Sequence, residues 1–306
     1  MKILVTGGAG FIGSNLAEKL AENHDVRVLD DLYLGSRNNL NSAGIEFVEG
    51  SVMNEKLVEK ACKDCDYIFH KAAMSSSPMF KELPKAGMEV NVLGFMNIMK
   101  AAKENGVKKV IYASTSSLYS GNPLPYSETQ PITAKTFYEA SFRTREIVAQ
   151  TYYFENDISS IGLRYFSVYG PKEVHKGRYA NNISQFLWDM MKGKQAVIYG
   201  DGTQRRDFTF VSDVVLANML AMTSKIDFGV FNVGTGIGTS FNELVALINK
   251  LLGTSIEPVH VDNPIKNYVH DTIADLSLVS RSLGYKPQWT LEKGIKSLID
   301  YYKKTL

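Results

Sequence analysis

Four glycines crowd one turn near the start of the chain, Thr6-Gly7-Gly8-Ala9-Gly10-Phe11-Ile12-Gly13, between the run Lys2 to Thr6 and the amphipathic stretch Phe11 to Ala21. A β-branched run that passes through a glycine turn directly into a helix points to a βαβ unit. Gly7 permits the tight turn, Gly10 lets a ligand approach the backbone, and Gly13 lets the helix pack closely on the strand. The N–H groups of the first helical turn then face that ligand, an arrangement that suits a phosphate.

The same rhythm continues along the first half. Strands are expected at Lys2 to Thr6, Asp25 to Leu29, Phe47 to Glu49, Tyr67 to His70, Lys108 to Ala113 and Ser160 to Leu163. Helices are expected between them at Phe11 to Ala21, Asn54 to Cys62, Met88 to Asn105 and Lys135 to Phe154. Such alternation requires parallel strands with right-handed crossovers, so the expected fold is α/β, a doubly wound parallel sheet of the Rossmann kind. After about Tyr165 the pattern loosens. Loops at Val168 to Tyr179, Tyr199 to Arg206 and Val259 to His270 separate helices near Asn181 to Lys192, Ser212 to Thr223 and Ser240 to Leu252. Residues 1–165 read as a dinucleotide-binding domain with a return near 207–235, where Val230 to Val233 rejoins the sheet. Residues 166–306 read as a smaller α/β substrate lobe.

Composition narrows the partners. The 34 basic residues of the 306-residue chain are interspersed among 32 acidic ones, without the basic stripe that nucleic acid needs. No apolar run reaches the roughly 18 to 20 residues that span a bilayer, and the opening residues lack a signal-peptide pattern, so neither nucleic acid nor membrane is an expected partner and the cytoplasm is the expected location. Cys62 closes a helix and Cys65 precedes a buried strand; a reactive thiol would instead sit at a helix N-terminus, and the pair is read as structural. His175 and His260 have no carboxylate or cysteine at ligand spacing, so no metal is expected. His70, at a strand end, is expected to pack.

Asp30 ends the second strand, where a carboxylate binds the adenosine ribose hydroxyls and repels a 2′-phosphate. Asp31 adds to that preference, and the expected cofactor is NAD rather than NADP.

Further segments follow in order: Phe69-His70-Lys71-Ala72-Ala73, Asn91-Val92-Leu93-Gly94, Ala113-Ser114-Thr115-Ser116-Ser117-Leu118-Tyr119, Tyr138-Glu139-Ala140-Ser141, Leu163 to Pro171 and Tyr199 to Phe208. With the glycine turn they resemble the extended short-chain dehydrogenase/reductases, in the epimerase/dehydratase branch that acts on nucleotide sugars. The resemblance implies Tyr138 as catalytic acid/base with Thr115 as its hydroxyl partner. It places Gly7, Gly10, Phe11, Ile12, Gly13, Asp30, Asp31, Ser51, Val52, Lys71, Ala72, Ala73, Asn91, Tyr138 and Tyr165 on the cofactor. Ser75, Ser116, Ser117, Ser167, Tyr199, Arg206 and His270 fall to the substrate, with Arg206 suited to a diphosphate. It also implies a homodimer formed through the helices around Met88 to Asn105 and Lys135 to Phe154.

The chain departs from the resemblance at several places. Phe142 stands one turn after Tyr138, where the family carries a lysine that holds the nicotinamide ribose and favours the phenolate; Arg143, Lys135 and Lys71 are the cations considered as substitutes. Ser51, Ser167 and His270 replace an aspartate, an asparagine and an arginine. The stretch Tyr169 to Gly177 resembles ADP-glycero-manno-heptose 6-epimerases, as does Tyr268 to Leu276, and this implies Lys176 as a second base. The expected activity is a UDP-hexose 4-epimerase that works by transient oxidation to a keto sugar. Alternatives are a heptose-type 6-epimerase, a nucleotide-sugar-binding relative weakened by Phe142, and a net dehydrogenase of a small hydroxy or amino acid. A dehydratase comes last, because Ser116 and Ser117 follow Thr115 where water elimination needs an acidic pair.

Overall fold

The glycine turn carries β1 (Lys2–Thr6) into α1 (Phe11–Ala21), and β2 (Asp25–Asp30) returns parallel to β1 with Thr6 opposite Leu29. The computed structural model describes residues 1–42, 44–264 and 269–305. The sheet is completed by β3 (Glu46–Glu49), β4 (Tyr67–His70), β5 (Lys109–Thr115), β6 (Ser160–Tyr165) and the strand Phe228–Val233. Its seven strands are all parallel and run in the order Phe228–Val233, β6, β5, β4, β1, β2, β3. Chain direction across the sheet reverses between β1 and β4, and the crevice beyond that switch point is where such sheets bind ligands.

Helices cover both faces, which is why β6 is buried along its whole length. One apolar layer joins the sheet to α1, Val211–Thr223 and Ser277–Leu283. The other joins it to α2 (Glu55–Cys62), Gly94–Glu104 and Phe137–Asn156. Cys62 and Cys65 lie in this second layer, and burial pushes the Cys62 thiol up to about 12.

A third core, around Phe186, Leu244 and Ile299, packs the helices Asn182–Met191, Phe241–Leu252 and Leu291–Thr305 together. The last of these turns Ile295, Leu298, Ile299 and Tyr302 inward, a helical spacing that lays one apolar face on its neighbours. The strand–helix rhythm gives no signal for this helix or for Ser277–Leu283.

Three other expectations shift. The helix expected from Met88 begins at Pro84 and passes through a π-helical turn, Glu89–Leu93, before Gly94–Glu104. The expected loops contain short strands: Val168–Tyr169 pairs with Thr209–Phe210, and Val259–Val261 with Val197–Tyr199. Strands of two or three residues depend on partners remote in sequence, so local pattern cannot reveal them. Tyr268 lies outside the described residues. No helix among the described residues is long and apolar enough to cross a membrane.

Candidate active site

The carboxyl ends of β1, β4, β5 and β6 open onto one cavity of about 730 Å³, a size suited to a small-molecule ligand. Gly7 has φ of +66°. A Cβ there would lie 2.5 Å from the Ala72 nitrogen, and one on Gly13 would lie 2.0 Å from the Gly7 carbonyl oxygen. Protein packing alone demands these two glycines. Gly10 differs, since its Cβ would meet only the Gly7 oxygen, at 3.2 Å. As N-cap of α1 it makes no side-chain cap bond, and Gly10, Phe11, Ile12 and Gly13 all stand in the cavity wall.

Asp30 reaches the same wall. Its Oδ2 accepts from the Ala9 N–H at 2.9 Å and its Oδ1 from the Leu32 N–H at 2.8 Å. Burial pushes its carboxyl up, and these hydrogen bonds pull against the rise. Asp31, Val52, Lys71, Ala72, Ala73 and Tyr165 also line the cavity. Ser51 stands outside the wall, where its hydroxyl accepts from the Met53 N–H at 3.4 Å. Asn91 is buried behind the wall: its Oδ1 accepts from the Met74 N–H at 2.9 Å and its Nδ2 donates to the Met74 carbonyl at 3.2 Å. It holds the segment that follows β4.

Tyr138 is placed by a reciprocal cap. Thr136 Oγ1 accepts from the Glu139 N–H and Glu139 Oε2 accepts from the Thr136 N–H, both at 3.2 Å, which starts the helix Phe137–Asn156 just before the tyrosine. Thr115 ends β5, and Tyr138 Oη donates to its Oγ1 at 3.2 Å. Phe80 and Phe142 meet the tyrosine ring edge-on, with centroids 5.6 and 5.0 Å away. Burial pushes the phenol up, while the Thr115 hydrogen bond and the Arg145 guanidinium pull it down.

The cations near this pair are not those the sequence singles out first. Arg143 pairs with Glu146 at 3.0 Å, and Lys135 donates to the Ser120 carbonyl at 2.8 Å. Lys71 is in the wall, donating to Tyr165 Oη at 3.1 Å and to the Ile111 carbonyl at 3.3 Å; burial first, then Arg145, holds its ammonium well below the ordinary range. Arg145 itself, missed in the sequence, lies 4.9 Å from the Phe142 ring centre. Its spacing was the available signal: from Tyr138 to Arg145 is nearly two helical turns, which returns a side chain to the same face.

On the substrate side Ser75, Ser116, Ser117, Ser167, Lys176 and Arg206 share the cavity wall. The Lys176 ammonium pairs with Glu173 at 3.0 Å and stands 5.7 Å from the Phe11 ring centre. Arg206 donates to the carbonyls of Val269 and His270 at 2.7 and 2.6 Å. Tyr199 is exposed and outside this wall. His270 lines a neighbouring hollow of about 310 Å³ and contacts Asp271 at 3.0 Å.

Residues 3–234 match the model of the NAD dependent epimerase/dehydratase family. The chain belongs to that family. It is 37% identical over 305 residues to a putative UDP-glucose 4-epimerase of Methanocaldococcus jannaschii, covering 98% of each chain. Among solved structures it is similar to the UDP-glucose 4-epimerase of Thermotoga maritima with UDP-glucose, at 35% identity and a TM-score of 0.95, covering 100% of this chain and 99% of that one. It is also similar to the ADP-L-glycero-D-manno-heptose-6-epimerase of Helicobacter pylori, at 31% identity and a TM-score of 0.89, covering 99% and 96%.

The cofactor of the family is NAD, and the wall fits it at two separate points. The uncapped α1 terminus beside Gly10 offers N–H groups to a pyrophosphate. Asp30 retains carboxylate lone pairs for ribose hydroxyls beyond its bonds to the Ala9 and Leu32 N–H groups.

Proposed function

We propose that this chain is a cytoplasmic NAD-dependent nucleotide-sugar epimerase that inverts C4 of a UDP-hexose. The Tyr138–Thr115 hydroxyl pair, 3.2 Å apart in the same cavity wall as the open α1 terminus, carries the reading. Tyr138 as phenolate accepts the proton of the sugar hydroxyl on the carbon being oxidised, and Thr115 Oγ1 hydrogen-bonds the same oxygen. NAD, when bound, supplies the acceptor for the hydride of that carbon and its later donor. Tyr138 returns the proton once the keto sugar presents its other face. Ser75, Ser116, Ser117 and Ser167 serve the sugar and Arg206 the diphosphate, with the nucleotide extending toward Tyr199 and His270. In this reading residues 1–165, with the return near 207–235, hold the cofactor, and residues 166–306 supply the substrate side.

The test is approach to one equilibrium mixture from UDP-glucose and from UDP-galactose, followed by proton NMR, with NAD released only on denaturation. Accumulation of free NADH would point to a net dehydrogenase instead, and binding without exchange to a weakened relative. A heptose-type 6-epimerase is the second reading, favoured by Lys176 in the same wall. It requires turnover of ADP-heptose that Lys176→Met abolishes.

We also propose a homodimer. Leu93 and Met96 on one helical segment and Ile147 and Phe154 on the adjacent helix are large exposed apolar side chains, and pairing with a second copy would bury them. Light scattering on Ile147→Glu should show a shift from dimer to monomer.

A further inference from the structure

Arg145 takes no part in the proton transfer proposed for Tyr138, yet its side chain is fully buried. Burying a charge without a counter-ion is costly. Its partners are main-chain carbonyls: Nε donates to Asn91 at 3.2 Å, and the terminal nitrogens donate to Ala113 at 3.1 Å and Ala72 at 3.4 Å. Ala72 and Ala113 both stand in the cavity wall, so the guanidinium is fixed directly behind it. The Phe142 ring, 4.9 Å from Arg145 Cζ, meets the Tyr138 ring with centroids 5.0 Å apart. The buried Phe142 ring thus touches both the guanidinium and the tyrosine, and apolar atoms packed beside a cation screen its charge less than water does.

The other groups around the pair do not supply that charge. Facing Tyr138 are Thr115 from β5, the Ser75 carbonyl at 3.5 Å from the segment after β4, and Glu139 on its own helix, whose carboxylate takes the Lys135 and Thr136 N–H groups. Facing Arg145 are His70 and Lys71 at the end of β4 and Tyr112 on β5. Glu146, next on the helix, is held by Arg164 at 2.8 Å. The Lys71 ammonium is directed to Tyr165.

We propose that Arg145 is a positioning residue for the acid–base step, its fixed charge acting across Phe142 to favour the Tyr138 phenolate. This rests on Tyr138 as the acid/base. The experiment labels tyrosine with ¹³C at the ring carbon bearing the hydroxyl and titrates the NAD-loaded protein by NMR; the Tyr138 signal is the one lost in Tyr138→Phe. Arg145→Gln keeps a donor for the carbonyls without the charge, and Arg145→Met removes both. The Tyr138 midpoint is expected to rise by about one pH unit or more in both proteins. Equal midpoints in wild type and Arg145→Gln would overturn the proposal. So would a rise of the same size produced by Lys71→Met alone. If Arg145→Met does not fold, the Gln protein decides. Turnover retained by Tyr138→Phe would instead sink the acid/base reading, which the titration does not touch.

Discussion

The two ends of the cavity are built by different means. At the glycine end, the run Thr6 to Gly13 makes most of the site, and backbone geometry does much of it: a positive φ at Gly7, a close approach at Gly13 and a less crowded Gly10. At the tyrosine end, Tyr138, Thr115, Asn91 and Arg145 are brought together from distant parts of the chain and meet through side chains. The first end is local and tolerates little change in shape. The second is assembled from afar, and its chemistry depends on charge and on which groups are dry.

The sharpest break in this comparison is Tyr138→Phe. Turnover should fall by about 1,000-fold while NAD stays bound, because one oxygen is lost and the glycine end is untouched; NAD content and rate together check it. At the other end, Gly13→Ala should cost about 3 kcal/mol in denaturant unfolding, since its Cβ would sit 2.0 Å from the Gly7 oxygen. Gly10→Ala should cost less stability, since its Cβ would lie 3.2 Å from the Gly7 oxygen, but weaken NAD binding, and equal stability losses in the two alanine variants would show that the end is not built as described.

Phe142→Lys sharpens the tyrosine end. An ammonium beside the buried Arg145 guanidinium is a like-charge pair, so stability should fall by about 2 kcal/mol and the rate should drop. A faster enzyme with its profile moved to lower pH would mean that this position lacked a cation after all. Asp30→Ser should narrow the NAD preference over NADP by about tenfold, or roughly 1.4 kcal/mol, in parallel titrations of both cofactors.

The smallest effect concerns His70, whose Nδ1 lies 2.8 Å from Thr6 Oγ1 on the neighbouring strand. Burial, then Arg145 and Lys71, hold its folded-state pKa well below the ordinary 6.5. The unfolded chain therefore binds the proton first, and stability is lost as pH falls below about 6.5, by about 1 kcal/mol over the first unit. Melting at about pH 5.5 and about pH 7 should show this loss in the wild type and a smaller one in His70→Phe.

Sequence alone determined the sheet, the glycine cradle and the place of Asp30 at a strand end. Each is written in short windows whose periodicity, turn residues or spacing act through local backbone preferences. The Tyr138–Thr115 pair was legible only through the resemblance to the epimerase/dehydratase branch, since it is packing that brings the two hydroxyls together. Even Phe142 was legible as a departure. What lay beneath it was not: whether Lys71, Arg143, Lys135 or Arg145 stands near the phenol depends on where β4, β5 and the π-helical turn bring their carbonyls. Asn91 likewise keeps its place in its motif but falls outside the wall, as does Ser51. The C-terminal helix Leu291–Thr305 and the two-residue strands became visible only through partners remote in the chain. Local conformational preference fixes elements residue by residue, whereas burial, and with it the charge state of Tyr138, Lys71 and Arg145, exists only once distant segments have packed and excluded water.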